Sequence, residues 1–363
     1  MKKPAPNILF IPSWYPTKEN IQNGVFIQKH AKAAAIANNV TVLFAHAFAQ
    51  PYYLKRTNGK LVENISAYKR TNSKWLNQLK LLRLYLKHVS LFRKADIIHL
   101  HVLSKRSFFG CILAFLYNKP LIVSEHWSGY QNSLSLSKKL IKRMVFWRAS
   151  YILPVSNFLQ KLMENKKIRG NFKVVGNIVK EQKDKRLADT PFKFLIVADL
   201  RDNIKNISSV IQIFKQKNLM NEVLHIIGDG PDKDFLESLC ENEKNISLLG
   251  EMSNEKVIKE ISNYHAVIIN SRIETFSVVA LESLAANRPL IYTKCGGPQE
   301  IIPKDCGIAI SPDNSEELYN AITSLKANYK LYQHKNYSLA IADFKENRIA
   351  QEFSKIYTSL LSE

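Results

Sequence analysis

Short apolar runs alternate with longer amphipathic runs along most of the chain. Short runs rich in Ile, Val, Leu and Phe predict buried strands, whereas apolar positions that recur every three or four residues predict helices. In the first half of the chain, the predicted strands lie at 8–11, 40–45, 96–101, 121–126, 151–155 and 172–176. The predicted helices between them lie at 25–37, 75–92, 108–117, 138–147 and 158–164. This alternation favours βα units around a parallel sheet.

The second half repeats the alternation. Its predicted strands lie at 192–198, 223–228, 246–249, 266–270, 290–293 and 307–310. An amphipathic pattern over 344–361 predicts a last helix, and a polar, charge-rich stretch at 180–190 predicts a linker. Because 363 residues exceed one ordinary hydrophobic core, the pattern predicts an α/β protein with two doubly wound, Rossmann-like domains. Ligands are expected at the carboxyl ends of the strands.

Two glutamates frame the start of one predicted helix. The strand predicted at 266–270 leads through a polar turn into an apolar run near Phe276, and Glu274 and Glu282 lie eight positions apart across that start. The first amides of a helix bind anions. Amides for a diphosphate, with one carboxylate for each of two sets of hydroxyls, suit a nucleotide-sugar. The alternative is that Glu274 caps the helix and Glu282 is a solvated helix residue.

This segment resembles the E-x7-E motif of the retaining glycosyltransferases of family 4. The Thr-Phe-Ser turn, the small-residue helix after it and Cys-Gly-Gly-Pro-Gln-Glu at 295–300 follow in the family's order. The resemblance implies that Glu274 contacts the donor sugar and Glu282 the ribose. It also implies that Phe276 and Ser277 lie against the bound donor.

The same resemblance implies the GT-B architecture, in which two Rossmann-like domains face each other across a cleft. We expect an N-terminal acceptor-binding domain at 1–180 and a C-terminal domain at 181–343 that binds the nucleotide-sugar. In the family the last helix often crosses back to the first domain, so the helix at 344–361 is expected to pack there.

A lysine after the strand predicted at 192–198 forms a second motif. Many family members carry an Arg and then a Lys at this point, and both bind the donor diphosphate. An ammonium suits a phosphate as a point charge, so Lys205 is expected to be catalytic and to bind the donor. Asp199 occupies the position of the family's Arg, and Arg201 is the candidate to replace its charge. The alternative for Lys205 is a surface lysine, and the departure at Asp199 leaves open a protein of this fold that has lost activity.

Three glycines are candidate donor contacts. Gly228 and Gly230 lie in a Gly-Asp-Gly-Pro strand exit, which resembles the family's Gly-x-Gly-Pro near the nucleotide base. Gly24 precedes the helix predicted at 25–37, at the place of a family loop that approaches the diphosphate. Glycine lets backbone amides approach a ligand closely. An ordinary turn is the alternative at each position.

Histidines follow two predicted strands of the first half. His126 ends the strand at 121–126, where the family usually places a histidine close to the donor sugar and acceptor. An imidazole hydrogen-bonds sugar hydroxyls as donor or acceptor, so His126 joins Glu274 and Lys205 as a predicted catalytic residue. His101 is a second candidate, Glu125 is an alternative carboxylate, and His99 is expected in the core.

Positive charge is concentrated in the first half. Residues 1–180 hold 30 Lys+Arg and 5 Asp+Glu, a net charge of +25, whereas residues 181–363 hold 22 and 26, a net charge of −4. A field of this sign attracts polyanions. The segments at 74–94 and 138–148 combine basic and large apolar residues, which is typical of helices that lie on anionic membranes. The alternative for each is a core-facing helix with a solvated lysine face.

Cysteine usage and the first residues bear on location and cofactors. The four cysteines are scattered without metal-like spacing, so no metal site and no disulfide framework are expected. The apolar run at 8–11 is too short for a signal peptide and no run reaches membrane-spanning length. We expect a cytoplasmic protein, with the inner face of the plasma membrane as a candidate surface.

Together these observations predict a retaining, metal-independent glycosyltransferase that needs no cofactor. It would move a hexose or a derivative from a nucleotide-sugar to a glycan or lipid-linked acceptor in cell-surface polysaccharide synthesis. One alternative is a nucleotide-sugar epimerase of the same fold. Another is a basic nucleic-acid-binding protein, which would explain the charge but would leave the E-x7-E segment without a role; we therefore expect no nucleic-acid partner.

Overall fold

The chain folds into two compact units. A computed structural model describes residues 4–362 except 133–134, 189, 218, 220 and 334. Unit 1 comprises Met1–Ile178 and Glu346–Glu363, and unit 2 comprises Val179–Lys345. Within the linker predicted at 180–190, Asp189 lies outside the described residues.

A seven-stranded sheet forms the centre of unit 1, with the order β3-β4-β2-β1-β5-β6-β7. Its strands are β1 (Asn7–Pro12), β2 (Asn39–Phe48), β3 (Tyr52–Asn58), β4 (Leu61–Lys69), β5 (Ile97–His101), β6 (Leu121–Glu125) and β7 (Tyr151–Pro154). All neighbours are parallel except β3 and β4. Without the edge strand β3, this is the order of a doubly wound fold. The direction of winding reverses between β1 and β5, which is where such folds open a ligand crevice.

Helices connect these strands. They are α1 (Val25–Ala37), α2 (Lys74–Lys87), α3 (Val89–Lys94), α4 (Phe108–Leu116), α5 (Leu136–Arg148) and α6 (Asn157–Asn165), with a 3-10 turn at Ser128–Tyr130. The side chains of 136–138 lie outside the described residues, so Lys138 of the predicted basic segment is not described.

The β3–β4 hairpin is absent from the sequence prediction. Its two-residue connection is Gly59-Lys60, with Gly59 at φ +55° in the first turn position, where a hairpin turn favours glycine. β4 pairs in parallel with β2 over nine residues, and β3 covers its other edge.

Two further predictions for this half are wrong. The segment at 172–176 is not a strand: it makes a single bridge, between Phe172 and Ile152, beside β7. The helix predicted at 75–92 is broken at His88 into α2 and α3, because the backbone there leaves the helical region.

A six-stranded, all-parallel sheet forms the centre of unit 2. Its strands are β8 (Phe192–Val197), β9 (Glu222–Ile227), β10 (Ile246–Gly250), β11 (Ala266–Ile269), β12 (Leu290–Thr293) and β13 (Gly307–Ile310). The order β10-β9-β8-β11-β12-β13 is again doubly wound, with its reversal between β8 and β11. All six strands lie where the apolar runs predict them.

The helices of unit 2 are mostly short. They are α7 (Asp202–Lys205), α8 (Ile207–Gln216), α9 (Lys233–Cys240), α10 (Asn254–Ile261), α11 (Val278–Ala285), α12 (Pro298–Ile301), α13 (Ser315–Ala327), α14 (Tyr329–Tyr332) and α15 (Tyr337–Ala340), with a 3-10 turn at Ala342–Phe344. Apolar residues of β8, β9 and β11 form the core of unit 2 with α8 and α13.

The last helix, α16 (Glu346–Leu360), packs against α1 in unit 1. Its buried residues recur with helical spacing and form one apolar face: Ile349, Ala350, Phe353, Ile356 and Tyr357. Among the residues that the structure describes, no helix combines the length and the apolar character needed to cross a bilayer.

Candidate functional site

A lysine and a glutamate meet at the reversal point of the sheet in unit 2. Lys205 ends α7, which follows β8, and Glu274 lies between β11 and α11. The Lys205 Nζ donates to Glu274 Oε1 at 2.5 Å, and Ser271 Oγ donates to the same oxygen at 3.2 Å. The two charged side chains retain 22% and 18% exposure. The pair is therefore sheltered from bulk water and still open to a ligand.

The charge of Lys205 is maintained by its surroundings. Burial alone lowers the pKa of this ammonium, but the Glu274 carboxylate and, more weakly, Asp199 outweigh burial and hold the pKa above its ordinary value. Lys205 is therefore a cation at neutral pH. A sheltered cation stabilises negative charge more effectively than one in bulk water.

Arg272 ties the two loops of this site together. Its guanidinium donates to the Asp202 carbonyl and to Asn206 Oδ1, each at 2.9 Å, and to Asp313 Oδ1 at 2.8 Å. Asn270 adds a bond from Nδ2 to the Asn206 carbonyl at 2.9 Å. These bonds fix the loop after β8 against the loop after β11. Arg272 lies between Asn270 and Glu274 in the motif, but no sequence pattern predicted this role for it.

The helix start beside Glu274 is capped by another residue. Ser277 has φ +73°, an uncommon conformation for serine, and its Oγ accepts from the Ala280 amide at 3.3 Å. The alternative that Glu274 is the cap is therefore wrong. Phe276 is buried, with its ring edge-to-face against Phe344 at a centroid distance of 5.6 Å.

Glu282 lies inside unit 2. Its exposure is 3%, and its Oε1 accepts from Asn254 Nδ2 at 2.9 Å. The alternative of a solvated helix residue is therefore wrong. Burying a carboxylate is costly without polar partners. Apolar packing of the helix does not require a carboxylate at this position, so the buried Glu282 points to a role other than packing.

The Cys-Gly-Gly-Pro segment packs directly on the motif. Glu274 forms a parallel bridge with Gly296, and the Gly297 amide donates to the Glu274 carbonyl at 2.8 Å. A Cβ on Gly297 would lie 2.4 Å from the Phe276 amide nitrogen. Only glycine allows this approach, so the loop after β12 sets the backbone that presents Glu274.

Asp199 and Arg201 form an ion pair with each other. Arg201 Nε lies 2.8 Å from Asp199 Oδ2, and both side chains are more than half exposed. Such a pair contributes little to stability. The role predicted for Arg201, as a replacement for the family's Arg, requires that a ligand competes with Asp199.

The glycines after β9 are required by close backbone packing. Gly228 has φ +155°, and a Cβ there would lie 1.9 Å from the Ala198 carbonyl oxygen. A Cβ on Gly230 would lie 2.6 Å from the Leu200 carbonyl oxygen. Both contacts hold the β9–α9 turn against the loop after β8, as expected of a turn; donor contact stays a prediction for both.

Unit 1 gathers imidazoles at the ends of its strands. His101 ends β5, His126 follows β6, and His30 lies on α1. His30 was not among the residues predicted from the sequence. A ligating nitrogen from each of the three lies within 4.8 Å of the other two. His99 is separate: its ring bonds Tyr357 OH at 2.9 Å and Ser124 Oγ at 2.8 Å, which confirms its place in the core.

These imidazoles are neutral at physiological pH. Burial lowers the pKa of His30 to about 4, and it holds the pKa of His101 and of His126 well below the ordinary value. The neighbouring imidazoles add to the effect at His101 and His126. The sheet end of the basic unit therefore carries neutral rings.

Glu125, the alternative carboxylate, is held in a buried network. Its Oε1 accepts from the Leu103 amide at 3.0 Å and from Tyr130 OH at 2.9 Å, and it lies 3.7 Å from Lys142 Nζ. Lys142 in turn donates to Tyr130 OH at 2.9 Å. Glu125 is fully buried, and its contacts join β6 to α5.

The turn after β1 depends on Gly24. It caps α1 at φ +71°, and a Cβ there would lie 2.4 Å from the Trp14 carbonyl. Close by, Val102 follows His101 at φ +65°, which is an outlier for a β-branched residue. The predicted contact of Gly24 with a diphosphate remains a prediction.

Comparison with known proteins identifies two family models. The model "Glycosyltransferase Family 4" matches residues 24–183, and "Glycosyl transferases group 1" matches residues 177–338. An uncharacterised glycosyltransferase of Methanocaldococcus jannaschii is 28% identical over 247 residues, which cover 65% of this chain and 67% of that protein. The chain spans between 20% and 67% of the lengths of the curated relatives it matches.

Solved structures share the fold over nearly the whole chain. Sucrose-phosphate synthase from Thermosynechococcus elongatus superposes with a TM-score of 0.78 at 16% identity and covers 98% of this chain and 99% of that one. The Anabaena protein HepE in complex with UDP and glucose superposes with a TM-score of 0.75 at 17% identity, covering 98% and 100%.

Proposed function

We propose that this chain, a glycosyltransferase of the family 4 type with the GT-B fold, transfers a hexose or a derivative from a nucleotide-sugar to a glycan or lipid-linked acceptor, with retention of anomeric configuration. The observation that carries the proposal is the Lys205–Glu274 pair beside the start of α11. UDP in the HepE complex supports a nucleoside diphosphate as the ligand class. Synthesis of cell-surface polysaccharide is the process in which we place this reaction.

Lys205 and the first amides of α11 are assigned to the donor diphosphate. As the glycosidic bond breaks, negative charge grows on the leaving diphosphate, and a preorganised cation with oriented amides stabilises that charge. Lys205 is presented from α7 and held in place by Glu274. We propose that no divalent cation takes part in this step, since the site itself supplies positive charge.

Glu274 and Glu282 are assigned to hydroxyl groups of the donor. Glu274 would accept hydrogen bonds from the sugar while it holds Lys205, and Glu282 would accept from the ribose. His126 would bind a hydroxyl of the sugar or the acceptor. The acceptor hydroxyl attacks on the side of the leaving diphosphate, whose oxygen takes the proton, so no side chain acts as a nucleophile.

A thermal-shift series with UDP-, GDP- and ADP-sugars tests the donor site. One donor class is expected to raise the Tm of the full chain, and Lys205→Met and Glu274→Gln are expected to abolish that rise. Lys326→Met is the matched control. It removes another lysine paired with a glutamate, Glu222, at the opposite, amino end of the strands.

The outcomes separate the proposal from its rivals. The donor site is contradicted if both site variants are still stabilised by the donor. It is also contradicted if no donor raises the Tm of the wild-type chain. With the stabilising donor, an acceptor-independent change of the sugar would identify an epimerase. Transfer to an acceptor should fall by roughly 100-fold or more in Lys205→Met and should not respond to added Mg²⁺ or Mn²⁺.

We also propose that unit 1 contacts an anionic membrane surface through α5. Leu140, Met144 and Trp147 recur on one face of this helix and are more than half exposed, with Trp147 at 76%. Lys142 of the same helix points inward and is buried. Part of the predicted arrangement is thus reversed: apolar residues face solvent and one lysine faces the core.

The occupant follows from charge and chemistry. An exposed apolar helix face on a unit with a large excess of Lys and Arg suits anionic lipid, because apolar side chains enter the interface while the basic residues attract headgroups. Such a surface would bring the enzyme to a lipid-linked acceptor.

Flotation with phosphatidylglycerol-containing vesicles tests this contact. Trp147→Ser combined with Met144→Ser should weaken binding several-fold, whereas Leu339→Ser, which removes an exposed leucine from unit 2, should leave binding intact. Absence of wild-type binding at low salt contradicts the proposal.

A further inference from the structure

We propose that His30, His101 and His126 form a binding site for a Zn²⁺-like divalent ion in unit 1. The three residues come from α1, from the end of β5 and from the position after β6. They are distant in sequence, and no spacing motif predicts that they lie together. Their ligating nitrogens lie within 4.8 Å of one another. Imidazole nitrogen is a preferred ligand of zinc, copper, iron and nickel.

His30 is oriented as a metal ligand. Its Nε2 lies 3.0 Å from the Gly176 carbonyl oxygen. A carbonyl only accepts, so in the neutral ring Nε2 carries the proton and Nδ1 carries the lone pair. Among the described residues, His30 Nδ1 has no hydrogen-bond partner. A ligating imidazole that donates its other N–H to a backbone carbonyl is the usual outer-shell arrangement around metals.

His101 is the central ring of the cluster. Its exposure is 0%, and in the described part of the chain neither of its nitrogens has a hydrogen-bond partner. Unsatisfied buried polar atoms are rare in native proteins and call for an explanation such as an ion. Its ring centroid lies 5.7 Å from that of His30 and 6.1 Å from that of His126. A metal ion would satisfy His30 Nδ1 and one nitrogen of His101.

The expected geometry requires a small closure. Three nitrogens bound to tetrahedral Zn²⁺ at about 2.0–2.1 Å lie about 3.3 Å apart. The ligating nitrogens now lie within 4.8 Å of one another, so metal binding must shorten these distances by up to about 1.5 Å. His126 is only half-buried and provides the freedom for this movement. Three imidazoles leave one of four coordination positions for water or a ligand, as in catalytic rather than structural zinc sites.

This site is independent of the donor diphosphate. Mg²⁺ and Mn²⁺ prefer oxygen ligands, so an all-imidazole site does not serve as their carrier. An ion held here would belong to the protein. The metal-free stabilisation of the leaving diphosphate proposed above rests on Lys205 and Glu274 in unit 2, and His126 is the residue that the two proposals share.

Titration of the untagged, chelator-treated chain tests the inference. Zn²⁺ is measured by competition with a chromogenic chelator, and Co²⁺ is added separately as a spectroscopic probe. We expect one ion per chain and a tetrahedral-type Co²⁺ absorption. His30→Gln, His101→Gln and His126→Gln should each weaken Zn²⁺ binding by roughly 100-fold or more. His46→Gln, which removes a buried histidine bonded to Tyr52 OH elsewhere in unit 1, is the control.

Far-ultraviolet circular dichroism checks folding of each variant. If His101→Gln does not fold, His126→Gln decides, because its ring lies at the more exposed edge of the cluster. Absence of stoichiometric Zn²⁺, or wild-type affinity in a folded triad variant, overturns the proposal.

Discussion

The reversal points of the two sheets carry different chemistry on the same strand order. In unit 2 the reversal holds a charged pair, Lys205 and Glu274, with partial exposure. In unit 1 it holds neutral, mostly buried imidazoles around His101. The net charge of the two halves shows the opposite contrast: the first half, with the neutral imidazoles, is strongly basic, and the second half, with the charged pair, is close to neutral.

This contrast separates surface charge from site chemistry. The lysines and arginines of unit 1 are mostly distributed over its surface, where they act on distant anions. The charge that could act on a bound diphosphate is one lysine in the other unit, sheltered and held by a carboxylate. Net charge therefore indicates what a unit attracts, and the residues at the strand ends indicate what it binds.

Acidification should expose the contrast most strongly. The cluster imidazoles are neutral in folded unit 1 and take up protons on unfolding, so the free energy of unfolding falls as pH drops below about 6.5. For His30, whose folded pKa is about 4, the loss reaches about 3 kcal/mol at pH 4. All four tryptophans (Trp14, Trp75, Trp127 and Trp147) lie in unit 1, so their fluorescence in urea reports this unit alone.

A matched variant assigns the acid effect to the cluster. His101→Phe keeps an aromatic ring beside Phe10, removes one titrating group and should flatten the dependence of the urea midpoint on pH. His46→Gln should retain most of the wild-type slope. A tryptophan-detected midpoint that stays constant between pH 7.5 and 5.0 in metal-free protein would contradict the prediction.

Backbone packing behind Glu274 gives a second, smaller effect. Gly297→Ala places a Cβ 2.4 Å from the Phe276 amide nitrogen. It should lower the free energy of unfolding by about 1–3 kcal/mol and abolish the donor-induced rise in Tm. Gly250→Ala is the control. Its φ of +72° is strained for alanine, but nothing lies within 4 Å of the new Cβ, so it should cost about 1 kcal/mol.

Calorimetric unfolding of the two glycine variants measures the difference. Equal losses of stability, with donor stabilisation retained in Gly297→Ala, would show that the loop after β12 does not support the site.

Removal of the Asp199 carboxylate should produce the smallest change. Asp199 is paired with Arg201 on the surface and repels a diphosphate at the same time. Asp199→Asn is therefore expected to raise UDP affinity by up to about 5-fold, equivalent to about 1 kcal/mol. Calorimetric titration of UDP measures the effect, with Asp305→Asn, another exposed aspartate of unit 2, as the control. A fall in affinity would mean that Asp199 positions Arg201 for the ligand.

Local pattern was sufficient for most elements and insufficient at particular places. Strands β11 and β12 of unit 2 are rich in apolar residues because each of their residues is buried in a sheet covered on both faces. The β3–β4 hairpin escaped notice because β3 is an edge strand with mixed polarity. The break at His88 is a single-residue event inside a continuous apolar periodicity, which a window of several residues averages away.

The site residues divide in the same manner. Lys205 and Glu274 were recognised separately from motifs, but their 2.5 Å contact joins positions 69 residues apart. Arg272, which lies inside the motif segment, and Asn254, which lies outside it, were not predicted to be site residues, and their importance lies in what they bind. Periodicity also did not reveal that Lys142 points inward while Trp147 points outward, because a basic residue and a tryptophan are each found on either face of a helix.

Residue order and type were enough to predict the two-domain α/β architecture, the family, the E-x7-E segment and the uneven charge. Each of these depends on the order and type of neighbouring residues. Contacts between distant segments were needed to show that Glu282 is buried, that Lys205 pairs with Glu274, and that His30 joins His101 and His126. Those facts depend on which strand ends and helices the fold brings together, and parallel crossovers bring together residues that are far apart in the chain.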